Sequence, residues 1–333
     1  MLAFSPLARG IPRHANSRRA FLLPFGLLPM PPSSREPAML LAATHSGSFH
    51  ADDVFAFAIL QAVTGGEISL TRSRDAADWE RAAVVFDVGG IYDPQRGRYD
   101  HHMRDKPLRP NGEAYSSAGL IWRDYGRQAI AALCPAATPG QAEIIWTKMD
   151  VALIRDIDLM DNGAMDRHPG HLSSVLESWN PTFAETDRAE NDAYFQAVAV
   201  ADQVLRREIA QTYAAALAQD SVEAAAKAAH DPRIIVLDSR LPWDEAVFDL
   251  DLREALYVIR PAGKDWTVSA IPPDRGSFAQ RKSLPAAWGG LREAELAAVC
   301  GVEDATFCHS ALFVCGALSR DGAIRMAQMA AEA

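Results

Sequence analysis

The chain has 333 residues, 49% of them hydrophobic, enough to bury a large core and to divide into two domains. Its 33 basic and 43 acidic side chains leave a net charge of -10, which argues against loose coating of nucleic acid by long-range attraction and leaves room only for a local basic groove. Four scattered cysteines without a C-x-x-C pair exclude a disulfide framework and point to a reducing compartment, the cytoplasm, and no apolar run reaches the roughly 18 residues a membrane-spanning helix needs.

Residues 1–38 carry five Arg, one Glu and no Lys or Asp among Pro- and Ser-containing pieces, the texture of a transit peptide. The simpler expectation is a mis-assigned start or a disordered extension, because Met39 stands directly before the first strand. Removing the segment is expected to change neither activity nor stability.

From Met39 to Thr44 the chain is a short apolar run, the length of a buried strand. The loop His45 to Asp52 leads into a helix over 53–63 that is apolar all round, with Asp52 or Asp53 available as its cap and Thr64-Gly65-Gly66 as its stop. Residues 67–71 read as a strand, 75–81 as a short polar helix and 83–88 as a third strand, the alternation of a parallel sheet. Asp93 to Gly97 makes a hairpin turn that folds His101 and His102 back over Asp87.

Residues 106–112 form a loop, 116–125 a helix, and 141–160 a long helix whose last turn is crowded by Asp156, Asp158 and Asp161. The helix dipole repels anions there by about 0.3–1 kcal/mol each, so a compensating cation is expected. Residues 173–181 read as a loop and 187–218 as an Ala-rich helix with apolar positions at helical spacing. After His230-Asp231-Pro232 the texture changes: 233–237, 255–259 and 266–271 read as strands, 294–299 and 320–331 as helices. The expectation is an α/β chain: a mostly parallel sheet flanked by helices over 39–220, then a smaller C-terminal α+β domain over 232–333.

His45 and Asp87 fall at the carboxyl ends of strands, where open α/β sheets hold their ligands. With His50, Asp52, Asp100, His101, His102, Asp158 and Asp161 they form a set of imidazoles and carboxylates without thiolate, suited to Mn²⁺, Mg²⁺, Fe²⁺ or Zn²⁺. One cation cannot use them all. Two cations roughly 3.5–4 Å apart, bridged by Asp87, would use them and would clamp an in-line displacement at phosphorus. Taken singly each residue has a plainer explanation: a surface imidazole for His50, a helix cap for Asp52, the start of a turn for Asp87, solvated groups for Asp158 and Asp161. Three motifs in order, each at a strand end, favour the metal.

In order, His50-Ala51-Asp52, Asp87 and Asp100-His101-His102 resemble the motifs of the DHH phosphoesterase superfamily, which includes RecJ-type exonucleases, oligoribonuclease/nucleotide phosphatases and manganese pyrophosphatases. The wording is closer to one branch. Thr44-His45-Ser46-Gly47-Ser48-Phe49-His50, Asp87-Val88-Gly89-Gly90 with Tyr92-Asp93, Arg98-Tyr99-Asp100-His101-His102, Ser116-Ser117-Ala118-Gly119-Leu120, Ile157-Asp158 followed by Asp161-Asn162-Gly163, and Asn180-Pro181 are similar to the MYG family, described as metal-dependent protein hydrolases, with eukaryotic members described as 3′–5′ RNA exonucleases. The resemblance runs from Met39 to the C-terminus.

The resemblance implies a DHH-type fold with His45, His50 and Asp87 on one cation, and Asp52, Asp87, His101 and either Asp158 or Asp161 on the other. Two Mn²⁺, with Mg²⁺ as the alternative, are the implied cofactors. His102 would face the scissile phosphate, and Asp100 would orient a neighbouring imidazole. His50 departs from the superfamily, which mostly has Asp there. In the second domain Leu312 and Cys315 stand where glycines are expected to let backbone approach phosphate, and in the first, in the helix after Ser117, Asp124 replaces an expected His. His309, Arg281, Lys282 and Arg320 are the candidate substrate contacts. The expected function is a two-metal phosphodiesterase or exonuclease acting on RNA or short oligonucleotides. The alternatives are a phosphatase of small phosphate esters and a metal-stabilised binding protein without turnover.

Overall fold

The computed structural model describes residues 39–333; the expectation for residues 1–38 lies outside them. In chain order β1 (Leu40–Thr44), α1 (Ala51–Thr64), β2 (Ile68–Arg72), α2 (Ala76–Arg81) and β3 (Val84–Phe86) alternate as the sequence suggests, and β4 (Tyr92–Asp93) and β5 (Arg98–Tyr99) form the hairpin. The first sheet has the order β2-β1-β3-β5-β4, parallel except at β5–β4. Gly97 closes the hairpin at φ 67, and a Cβ there would meet the Ala83 carbonyl oxygen at 2.1 Å, so only glycine serves. Because β5 runs parallel to β3, the residues after Tyr99 emerge at the same sheet edge as Asp87.

Next come α3 (Ser117–Leu133), α4 (Pro139–Met149), α5 (Arg155–Asp161), α6 (Leu172–Glu177) and α7 (Glu190–Ala228). A helix apolar on every side belongs inside. So it is with α1, whose Val54, Phe55, Phe57, Ile59 and Leu60 are all buried, and which packs against α3 and α7. Two elements run further than expected, α3 to Leu133 and α7 to Ala228. The expected loop at 173–181 begins as α6, capped by His171, whose Nδ1 accepts the Ser173 N–H at 3.2 Å. Histidine is a weak sequence signal for a cap.

The expected helix over 141–160 is continuous in path but contains a π-helical turn, Asp150–Ile154, between α4 and α5. Eight residues of ideal α-helix leave their ends about 80° apart around the axis. The wider turn takes out that rotation, so Asp150 and Asp158 both reach Arg109. Asp158 also accepts hydrogen bonds from the Ser116 N–H (3.0 Å), the Ser116 hydroxyl (2.6 Å) and the Gly119 N–H (3.0 Å), which locks the start of α3 onto α5. Gly119 is therefore a contact residue: a Cβ on it would lie 2.1 Å from Asp158 Oδ2. Gly119→Ala should push α3 off α5 and lower stability by about 1–3 kcal/mol, read as a shift of the urea midpoint. An unchanged midpoint would show that the two helices separate freely.

The second sheet is built from β6 (Ile234–Val236), β7 (Tyr257–Ala262), β8 (Asp265–Ala270), β9 (Ala305–Cys308) and β10 (Val314–Ala317), with α8 (Asp244–Asp249), α9 (Glu293–Cys300) and α10 (Arg320–Glu332) around it. Its order is β6-β7-β8-β10-β9, with β6–β7 parallel and the rest antiparallel. Residues alternate faces at period two. Ile234, Tyr257 and Ile259 pack with Leu296 of α9 and Met326 and Ala327 of α10, whereas Ile235 and Val258 pack with Val222 of α7 and Val247 of α8. The end of α7 thus belongs to this second core, and the segment expected to be a boundary is helical through Ala228. The hairpin β9–β10 was not expected from the sequence, since each strand has only four residues and the turn between them contains His309 and Phe313.

Candidate metal centre

β1 and β3 lie side by side and in parallel, so His45, which follows β1, and Asp87, which follows β3, meet at one sheet edge. His45 Nε2 stands 3.1 Å from Asp87 Oδ2 and 3.5 Å from Asp53 Oδ2. His101 Nε2 faces three carboxylates, with Asp87 Oδ1 and Asp161 Oδ2 both at 3.2 Å and Asp52 Oδ2 at 3.7 Å. His50 sits where α1 begins. Its ring can offer a nitrogen within 4.8 Å of ligand atoms of His45 and Asp87, and also within 4.8 Å of those of Asp52 and Asp161. These two donor groups share His50, and a third, Asp87, Asp100, His101 and His102, adjoins them through Asp87.

Asp87 adopts φ 56, a left-handed backbone that Asp tolerates better than most side chains. The turn aims its carboxylate back between the two histidines. Burial alone would raise its pKa, but hydrogen bonds from His101 and His45 outweigh that and hold it well below the usual carboxylate range. Asp52 and Asp53 go the other way. Burial, then the Asp87 charge beside them, pushes Asp52 well up and Asp53 to about 8, and burial likewise raises Asp161. Four carboxylates packed against imidazoles repel one another unless cations intervene. Asp52 Oδ1 and Asp53 Oδ2 are buried without a hydrogen-bond partner, oxygens that a divalent cation would satisfy. Oxygen and imidazole donors without a thiol fit Mn²⁺, Mg²⁺, Fe²⁺ or Zn²⁺.

Asp100 plays a different part. Its Oδ1 accepts the N–H groups of His101 (2.7 Å) and His102 (3.2 Å) and lies 2.7 Å from His102 Nδ1, while Oδ2 accepts the Gly90 N–H. The imidazole it orients is that of His102, whose pKa the Asp100 hydrogen bond raises. The His102 side chain is 61% exposed and borders a cavity of about 290 Å³. His45, His50, Arg74, Asp87 and Gly89 are also on its wall.

Of the acids at the end of α5, Asp161 joins the cluster and Asp158 does not. The cation expected there exists for Asp158 as the Arg109 guanidinium. Two residues that the sequence offered only as a helix cap and as part of a Ser-Ser motif complete the site: Asp53 beside His45, and Ser117, whose N–H donates to Asp52 (3.2 Å) and whose hydroxyl donates to Asp87 (3.3 Å). Asn180 holds the His45–His50 loop by accepting the Phe49 N–H (2.9 Å) and donating to the Phe49 carbonyl (2.8 Å). Its place in a motif with Pro181 was the available signal.

None of the four candidate substrate contacts is a hydrogen-bond or ion-pair partner of this cluster. Arg281 donates to the carbonyls of Leu252 (2.6 Å) and Ala255 (2.9 Å), and Lys282 to that of Ala331 (2.9 Å), so both charges serve the second domain's own backbone. His309 is exposed, with its ring 4.6 Å from that of Phe313. Arg320 stands 3.8 Å from Asp238, on a separate cavity of about 600 Å³ between the end of α7, β6 and α10.

Comparison with known proteins covers nearly the whole described chain. The family model MYG1_exonuc, described as uncharacterised protein family UPF0160, matches residues 41–331. A MYG1 protein of Caenorhabditis elegans is 31% identical, covering 88% of this chain and 95% of its own. The proteins named MYG1 exonuclease from Bos taurus and Homo sapiens are 29% and 28% identical, covering 92% and 90% of this chain and 89% of each of theirs. Among solved structures, RecJ from Thermus thermophilus in complex with Mg²⁺ aligns with 89% of this chain and 50% of its own at 15% identity and a TM-score of 0.27, too loose a superposition to carry an argument. With the family model spanning both sheets, the chain belongs to the MYG family, UPF0160.

Proposed function

We propose that the protein is a metal-dependent phosphoesterase, and more narrowly a two-metal phosphodiesterase of 3′–5′ exonuclease type acting on RNA or short oligonucleotides. The observation that carries this is the meeting of Asp52, Asp53, Asp87 and Asp161 with His45, His50 and His101 at the carboxyl ends of β1 and β3. Relatives bearing the name exonuclease support the same reading. His45, His50 and Asp87 would hold one cation, and Asp52, Asp87, His101 and Asp161 the other, Mn²⁺ or Mg²⁺. When bound, such a pair supplies positive charge against the phosphate oxygens and lowers the pKa of a neighbouring water.

The protein's own groups do the rest. Asp100 accepts from His102 Nδ1 and favours the protonated ring, in which Nε2–H is a donor for a phosphate or leaving-group oxygen. Ser117 holds Asp87 and Asp52 in place from the start of α3. In this reading residues 39–220 are the catalytic domain and 232–333 the substrate-binding domain, with exposed His309 and Arg320 as its available contacts, in a reducing cytoplasm where the four buried cysteines stay thiols. Among the described residues no helix is long and apolar enough to cross a membrane.

A second reading, a phosphatase of small phosphate esters, is favoured by the size of the cavity, about 290 Å³, at the low end for ligand sites. One assay separates the two. The purified chain is offered end-labelled single-stranded RNA and DNA, dinucleotides and pyrophosphate, in Mn²⁺, in Mg²⁺ and with chelator. Metal-dependent laddering of RNA is the expected result and would give the polarity. Cleavage of pyrophosphate or dinucleotides alone would move the assignment to the phosphatase, and silence on every ester would overturn the enzyme.

A further inference from the structure

Arg74 lies on the short connection between β2 and α2, and that connection is tied down from several sides. The Ser73 N–H donates to the Thr44 carbonyl at 2.8 Å, the Trp79 indole N–H donates to the Ser73 carbonyl at 2.9 Å, and Asp75 accepts the Ala77 N–H at 2.9 Å to cap α2. The Trp79 ring also packs on Gly89, whose Cβ position is 3.7 Å away. One indole thus joins the Arg74 connection to the loop that follows Asp87. The guanidinium, held in this way, donates to the Ser46 carbonyl (3.3 Å), stands 3.4 Å from His45 Nδ1, and lines the same cavity as His102.

Its charge is unspent. Neighbouring arginines are occupied: Arg72 lies 4.5 Å over the Tyr194 ring and donates to the Gly47 carbonyl, Arg98 donates to the carbonyls of Ala82 and Trp79, and Arg109 is paired with Asp150 and Asp158. Arg74 is exposed, and among the described residues its hydrogen-bond partners are only a carbonyl and an imidazole. A planar guanidinium with outward donors, fixed at the rim of a cavity, matches the paired oxygens of a phosphate.

Resting on the phosphoesterase reading above, we propose that Arg74 is a substrate-binding residue, pairing with a nonbridging oxygen of the phosphate held in the cavity beside His102. Arg74 then positions the phosphate from the cavity wall, and its contact with His45 ties that position to the metal centre.

The test uses the full chain loaded with Mn²⁺ and inorganic phosphate as the probe, by calorimetry, for wild type, Arg74→Met and Arg74→Lys. Phosphate affinity should fall about 10- to 100-fold in Arg74→Met and recover in part in Arg74→Lys, while Mn²⁺ affinity and melting temperature stay at wild-type values. With a dinucleotide substrate, KM should rise by a similar factor and kcat should change less than about tenfold. Unchanged phosphate affinity in Arg74→Met, or a loss fully explained by weaker Mn²⁺ binding, overturns the proposal. A wild type that binds phosphate through Arg74 yet cleaves no ester keeps this site and removes the phosphoesterase reading. A wild type that cleaves the ester while Arg74→Met retains its KM does the reverse.

Discussion

Asp87→Asn should lower metal-dependent turnover by at least about a thousandfold while leaving a folded protein. The two halves of that expectation have separate causes. Asp87 is the carboxylate both His45 and His101 reach, and the one whose pKa is held low, so it is the anion best placed to face two cations. Asparagine keeps the shape but removes the charge. It also accepts the left-handed backbone at φ 56, which alanine would adopt only at a cost of about 1–2 kcal/mol, so a loss of activity in the Asn variant cannot be blamed on the turn. Removing one negative charge from a crowd of four carboxylates should not unfold the metal-free protein. The checks are kcat/KM on whichever ester the wild type cleaves, Mn²⁺ titration by calorimetry, and the melting temperature. Rates within about tenfold of wild type would remove Asp87 from the centre of the chemistry.

How much of this was legible in the sequence follows the range of the interactions. His45, Asp87 and the Asp100-His101-His102 run could be placed because each directly follows a short strand, and a parallel alternation brings strand ends together. The capping role of the acids at α1 could not be separated from ligation. Asp53 faces both ways: its Oδ1 accepts the His50 N–H at 3.0 Å at the helix start while Oδ2 turns to His45 in the cluster. Asp158 and Asp161, three residues apart, differ only in what comes to meet them, and Arg109 arrives from 49 residues away, beyond any local pattern. In the second domain Leu312 stands where a glycine was expected. Leu312 adopts φ 59 all the same, so the turn is kept by its surroundings and not by its residue. Short strands such as β9 and β10 carry too little alternation to be seen.

Arg109→Met should destabilise the protein by about 3–5 kcal/mol, the usual consequence of leaving one member of a buried ion pair alone. Arg109 and Asp158 are both buried, and the second partner, Asp150, is partly open to water and can be solvated when the guanidinium is gone. Asp158 cannot. Burial already raises its pKa to about 6 despite Ser116 and Arg109, which work in the opposite direction. A carboxyl whose folded pKa lies above its unfolded value is at its most stabilising below the unfolded value, and that contribution is lost as pH rises through the folded one. Without Arg109 the folded pKa moves higher still. The deficit of the variant should therefore be small near pH 5 and grow by about 1.4 kcal/mol per pH unit above pH 6, in urea titrations at pH 5 and pH 8. Adding Asp158→Asn to Arg109→Met removes the stranded charge but keeps an Oδ1 acceptor for Ser116 and Gly119, and should restore more than about half of the loss at pH 8. If the double variant is no better than the single one, the stability resides in the packing of the Arg109 side chain over the Tyr115 ring, 4.4 Å from the guanidinium, and not in the charge pair.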